Sequence, residues 1–117
     1  MKTVRVILSP DADETLKELS IAARRRKQEN TRVKGFYKKI DIIKYNVHYG
    51  DQVAKSLIPV EYKIKYNANN LFRVEIPGFW RFTYTLKNGI TEDETVVLIL
   101  DIMSHETYNK KFGYRGK

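Results

Sequence analysis

Residues 71–86, LFRVEIPGFWRFTYTL, constrain the fold more than any other stretch of the chain. Two runs of alternating apolar residues flank Pro77-Gly78, which is the pattern of an antiparallel hairpin. Phe72, Val74 and Ile76 share one face of the first run, and Trp80, Phe82, Tyr84 and Leu86 share one face of the second. If all of them face a core, Ile76 lies opposite Trp80 and the loop holds an odd number of residues. A two-residue loop would pair Ile76 with Phe79 and turn Trp80 and Phe82 to the other side, because side chains alternate along a strand. The odd register sets Arg73 opposite Thr83 and Glu75 opposite Arg81. That remaining face is expected to be exposed, presenting two guanidiniums and a carboxylate on a rigid sheet.

The chain has 117 residues, enough for one domain with a sizeable core. Its 42% hydrophobic and 12% aromatic content is that of a folded protein. No apolar run is long enough to span a bilayer. The start, MKTVRVILSP, alternates and runs into Pro10, so it reads as a strand and not a signal peptide. Cysteine is absent, which excludes disulfides and zinc–thiolate sites. His48 and His105 are too few for a histidine-based metal cluster, so no metal or cofactor is expected, and the expected location is cytoplasmic. With 22 Lys+Arg against 14 Asp+Glu the net charge is +8, which attracts polyanions. Nucleic acid or an acidic protein is the expected partner, not a membrane.

Residues 2–8 alternate as a short strand ended by Ser9-Pro10. Asp11 and Glu14 fit a capping box, with Leu16, Leu19, Ala22 and Ala23 as the apolar stripe of a first helix over 11–29. Asn30 or Thr31 caps a second helix over 31–48, in which Val33, Phe36, Tyr37, Ile40, Ile43 and Val47 recur at helical spacing. The basic run from Arg24 to Lys39 is either a solvated helical face or a binding one. Residues 51–70 are poorly patterned and fit a long loop, a short strand or an irregular crossover. After the hairpin, residues 95–103 form a dense apolar run suited to a central strand, in which Asp101 needs a partner. The tail is basic and aromatic. The expected class is α+β: an N-terminal strand, an αα-hairpin, then an antiparallel meander, with the helices on one face of the sheet. The last strand is the expected parallel partner of the first.

The glycines form no phosphate loop, and no nucleophile elbow or metal spacing is present. What remains suits phosphodiester chemistry by side chains alone. Arg73 and Arg81 can hold a phosphate and stabilise developing charge. His105 and Tyr108 can exchange protons with the attacking or leaving oxygen. Lys110, Lys111 and Arg115 can grip neighbouring phosphates, and Tyr114 can stack on an unpaired base. Structural roles compete with each of these: Arg81 can simply pair with Glu75 across the hairpin, and tail lysines are usually just solvated.

VRVILSP, the helical hairpin, FRVEIPGFWRFTYTL, VVLILDI and HETY together resemble the RelE/ParE superfamily of prokaryotic toxins, with Gly78, Trp80, Arg81, Tyr84, His105 and Tyr108 filling the family pattern. The resemblance implies a microbial-ribonuclease-like fold. In its RelE branch it implies metal-independent cleavage of mRNA on the ribosome by 2′-hydroxyl attack, restrained by a cognate, acidic antitoxin. It casts Arg81 as the stabiliser of the phosphorane, with Arg73 at a commonly basic position. His105 or Tyr108 is the acid, or Tyr108 stacks on a base. Glu75 stands where lysine is frequent, as a base or as a neutraliser of Arg81, and Glu61 is the alternative base. Lys63 and Lys65 supply cationic contacts. The superfamily also implies an alternative, a non-catalytic module acting on gyrase, the ribosome or nucleic acid.

Overall fold

In the structure, a computed structural model that describes residues 3–113, the hairpin pairs in the odd register. Ile76 lies opposite Trp80, Val74 opposite Phe82 and Phe72 opposite Tyr84, with Glu75 opposite Arg81 and Arg73 opposite Thr83 on the reverse side. The elements run β1 (Thr3–Leu8), α1 (Pro10–Ala23), α2 (Lys27–Tyr45), β2 (Asp51–Gln52), a 3-10 turn (Lys55–Leu57), α3 (Val60–Tyr66), β3 (Phe72–Ile76), β4 (Trp80–Asn88), β5 (Glu94–Ser104) and α4 (His105–Lys111). The strands make one sheet in the order β1-β5-β4-β3-β2. β1 is parallel to β5, and the remaining neighbours are antiparallel. The class is α+β, and no helix among the described residues is long and apolar enough to cross a membrane.

The α1–α2 pair breaks earlier than its sequence suggests, at residues 24–26 instead of at residue 30. Ser9, not Asp11, caps α1: its hydroxyl accepts the Ala12 N–H at 3.0 Å and donates to the Leu100 carbonyl at 2.6 Å, with Pro10 at the first helical position. Ala12, Leu16 and Leu19 of α1 and Phe36, Ile40 and Ile43 of α2 pack on one sheet face, against Phe72, Val74, Ile76, Phe82, Tyr84, Val97, Ile99 and Ile102. Tyr84, fully buried, donates to the Val47 carbonyl at 2.8 Å and accepts the Gly50 N–H at 3.0 Å, which satisfies its hydroxyl within the core.

The helices do not all lie on one face. Residues 51–70 form β2, the 3-10 turn and α3, where the sequence left a loop, a strand or a crossover open. α3 and α4 bring Tyr62, Tyr108 and Phe112 onto the reverse face, over Val53, Ile58, Ala68, Leu71, Leu100 and Met103. The face expected to be open is therefore roofed by a second core. Thr83 is fully buried, and Arg81 keeps only 12% of its side chain exposed.

A bulge makes this second core possible. Thr83 pairs with Asp101 and Tyr84 with Ile99, so Leu100 is an extra residue on β5. Strict alternation would put Asp101 beside Val97 and Ile99 under α1 and α2. The bulge turns it to the reverse face, where Tyr62 donates to Asp101 Oδ2 at 2.5 Å and Lys111 Nζ approaches at 3.5 Å. The partner that Asp101 needs is thus supplied by α3 and α4.

Candidate functional site

The hairpin turn is held from two sides. Gly78 has φ +83° and Phe79 φ +59°, both in the left-handed region. Arg32 of α2, part of the basic run, is buried and not solvated. Its guanidinium donates to the Pro77 carbonyl at 3.2 Å and the Gly78 carbonyl at 3.4 Å, pairs with Glu29 at 3.4 Å, and lies 4.7 Å from the Trp80 ring centroid. Glycine is required on both sides of this contact. A Cβ on Gly78 would meet Arg32 Nη2 at 2.3 Å, and one on Gly35 would meet Pro77 Cδ at 2.4 Å. From the other side, the His105 N–H at the start of α4 donates to the Phe79 carbonyl at 2.7 Å. His105 is therefore brought to the turn by a backbone bond.

Beside the turn opens a cleft of about 530 Å3 lined by Glu75, Phe79, Trp80, Arg81 and His105 among others. Three of the residues singled out from sequence thus share one cavity. Arg81 Nη2 donates to Glu75 Oε1 at 3.1 Å, and its guanidinium carbon sits 4.6 Å from the Tyr108 ring centroid. Glu75 is the exposed partner, with 73% of its side chain accessible. A second cleft of about 320 Å3 lies on the other side of Glu75 and includes Lys39, Tyr49, Asp51 and Arg73. Arg73 is 3.9 Å from Asp51 and donates to the Tyr108 hydroxyl at 3.4 Å. Glu75 lines both clefts, with one arginine on each side.

Tyr108 does not reach either cleft as a free group. Its ring is fully buried and stacked on Phe112 at 4.1 Å between centroids, so no face is open to a base. It acts as the surface on which both guanidiniums rest. Glu61 is turned to Lys111, at 2.7 Å, on the roof of the second core. Burial pushes the Lys111 ammonium down, and its contacts with Glu61 and Asp101 outweigh that and hold it above its usual value. Lys111 thus ties α4 to α3 and β5. Lys65 pairs with Asp11 at 2.8 Å, Lys110 with Glu106 at 3.8 Å, and Lys63 is exposed beside Ala68. Glu61, Lys63, Lys65, Lys110 and Lys111 therefore line neither cleft. Tyr114 and Arg115 lie outside the described residues.

Phe79 was not singled out from sequence, because in an alternating pattern it is merely a loop residue; its 85% exposure and positive φ are visible only in three dimensions. A third groove, on the α2 flank of the turn, is lined by Lys27, Lys34 and Lys38 with Pro77. Among the described residues no group of three or more His, Cys, Asp or Glu is placed to hold a metal ion.

Comparison with protein-family models, with curated proteins and with solved structures found no match. What the chain does must be read from these side chains.

Proposed function

We propose that the chain is a RelE-like, metal-independent endoribonuclease that cleaves mRNA on the ribosome and is held inactive by a cognate acidic antitoxin. The observation that carries this reading is the convergence of Arg81, Glu75 and His105 on one cleft, with Arg73 across Glu75. These are the group types that a 2′-hydroxyl attack requires. Glu75 takes the proton of the 2′-hydroxyl as the O2′–P bond forms. His105 gives a proton to the 5′-oxygen as the P–O5′ bond breaks. The products are a 2′,3′-cyclic phosphate and a 5′-hydroxyl. Arg81, and Arg73 beside it, stabilise the charge on the pentacoordinate phosphorus. Their resting place on Tyr108 fixes the guanidinium planes before substrate arrives, which limits reorganisation during the reaction. Of the two candidate bases the geometry favours Glu75, since Glu61 is paired with Lys111 away from the clefts. In the same way His105 is favoured over the buried Tyr108 as acid.

A programmed translation extract tests the reading. Added protein should produce new mRNA ends that accept phosphate from polynucleotide kinase without prior phosphatase treatment, because they carry 5′-hydroxyls. Arg81→Ala should lower the cleavage rate by about 100- to 1,000-fold, the usual loss for one transition-state donor. Intact mRNA at high protein concentration would sink the nuclease reading. One observation favours a second reading: the Glu75 carboxylate and the Tyr108 ring already occupy the Arg81 guanidinium. A chain of this kind would keep the fold and charge as a non-catalytic module for gyrase, the ribosome or nucleic acid. It would bind without making product.

A further inference from the structure

Phe79 takes no part in the core or in the proposed chemistry, yet its backbone is held in the left-handed region. A bulky residue in left-handed backbone is strained where glycine or asparagine is not. The strain is sustained because the flanking carbonyls are held from both sides, by Arg32 of α2 and by the His105 amide of α4. The result is an aromatic ring that is 85% exposed on a turn hydrogen-bonded to both α2 and α4. The ring borders the cleft that holds Trp80, Arg81 and His105. An aromatic face next to a guanidinium is complementary to a nucleotide, whose flat base and anionic phosphate sit a fixed distance apart.

We infer that Phe79 is a base-stacking plate for single-stranded RNA, seating the nucleobase next to the phosphate that lies against Arg81. The inference rests on the ribonuclease reading for the chemistry beside the ring, but not for the binding. A protein partner could use the same ring as an apolar anchor. RNA is favoured because cations lie on both sides of the ring: Arg81 on one side of the turn, and the groove with Lys27, Lys34 and Lys38 on the other. A backbone already held by α2 and α4 leaves less entropy to lose when the ring meets a base.

The test separates binding from cleavage. The full chain is titrated into a short fluorescent RNA oligomer in which every 2′-hydroxyl is methylated, so that it cannot be cut. Anisotropy reads binding, and quenching of Trp80, the single tryptophan of the chain, reports occupancy of the cleft. Phe79→Ala should weaken binding about 10-fold, the ordinary loss for one base–aromatic stack, and Phe79→Tyr should retain it. Phe79→Asn should weaken binding as much as Ala while raising the urea midpoint, since asparagine tolerates the left-handed backbone. A gain of stability with a loss of binding is not what a purely structural Phe would give. No binding by the wild type, or equal binding by Phe79→Ala, overturns the inference. If the methylated oligomer binds through Phe79 and unmodified mRNA is never cut, the plate stands and the nuclease reading falls. If mRNA is cut and Phe79→Ala binds and cuts normally, only the plate falls.

Discussion

At the scale of single residues, the turn at Pro77-Gly78-Phe79 and the side chain of Arg32 form one unit. Arg32 is buried against two carbonyls, a carboxylate and an indole. Glu29 Oε2 is already buried without a hydrogen-bond partner, so losing the Arg32 charge would leave that carboxylate uncompensated. Arg32→Met, which keeps most of the volume, should cost about 2–4 kcal/mol in urea denaturation. Gly78→Ala should cost about 2 kcal/mol, since the new methyl group meets the guanidinium and the backbone is left-handed. Glu75 gives a prediction whose sign is informative. If Glu75 is the general base, Glu75→Gln should lower mRNA cleavage about 100-fold or more. If Glu75 only neutralises Arg81, the same change should raise cleavage or RNA affinity. The variant should scarcely alter stability, because the carboxylate is largely exposed and such pairs contribute little.

At the scale of elements, β5 and its bulge decide how α3 and α4 attach. The bulge delivers Asp101 to the reverse face, Tyr62 donates to it, Thr83 Oγ1 lies 3.2 Å from the Tyr62 hydroxyl, and Lys111 completes the cluster. Burial first, and then the negative charge of Asp101, push the Tyr62 hydroxyl well above its usual value of 10.0. Burial pushes Tyr84 up as well. A raised folded-state value means that the native protein keeps a proton the unfolded chain gives up. Stability should therefore be constant up to about pH 10 in this respect and fall as pH rises further. Urea midpoints measured between neutral pH and about pH 11 should show that fall, and it should be shallower in Tyr62→Phe, which has no hydroxyl to ionise. At neutral pH the same variant should cost about 1–2 kcal/mol, because Asp101 keeps only its approach to Lys111.

At the scale of the whole molecule, the two faces of one sheet divide the work. α1 and α2 close the larger core, and α3 and α4 close the smaller one that underlies Arg73 and Arg81. The net charge of +8 acts across both. RNA binding should weaken about 20-fold when salt rises from 50 to 200 mM if roughly three phosphates are neutralised. Replacing Lys34 or Lys38 by Gln should reduce that salt slope by about 0.7 for each phosphate the variant no longer neutralises. An unchanged slope would mean that the α2 groove beside Pro77 is only a solvated face.

Much of this molecule was legible in the amino-acid order. The hairpin register followed from one requirement, that Phe72, Val74, Ile76, Trp80, Phe82 and Tyr84 reach the same side, since period-2 alternation then demands an odd loop and the three-residue one is the shortest that fits. The general αα-hairpin followed from helical spacing, and the parallel pairing of β1 with β5 from the apolar density of the last strand. The second core did not. Its pieces are a seven-residue helix, a short C-terminal helix and a strand with one extra residue, and none of these repeats for long enough to show a period. Arg32 looked like one more cation in a basic run, and Tyr108 like a reactive tail residue, because burial depends on neighbours that are distant in sequence. Sequence alone determined which residues share a face, since that is a local property of strand and helix geometry. Only the tertiary structure decided which face is covered, which cation is buried and which aromatic stands exposed, because those depend on packing between residues far apart in the chain.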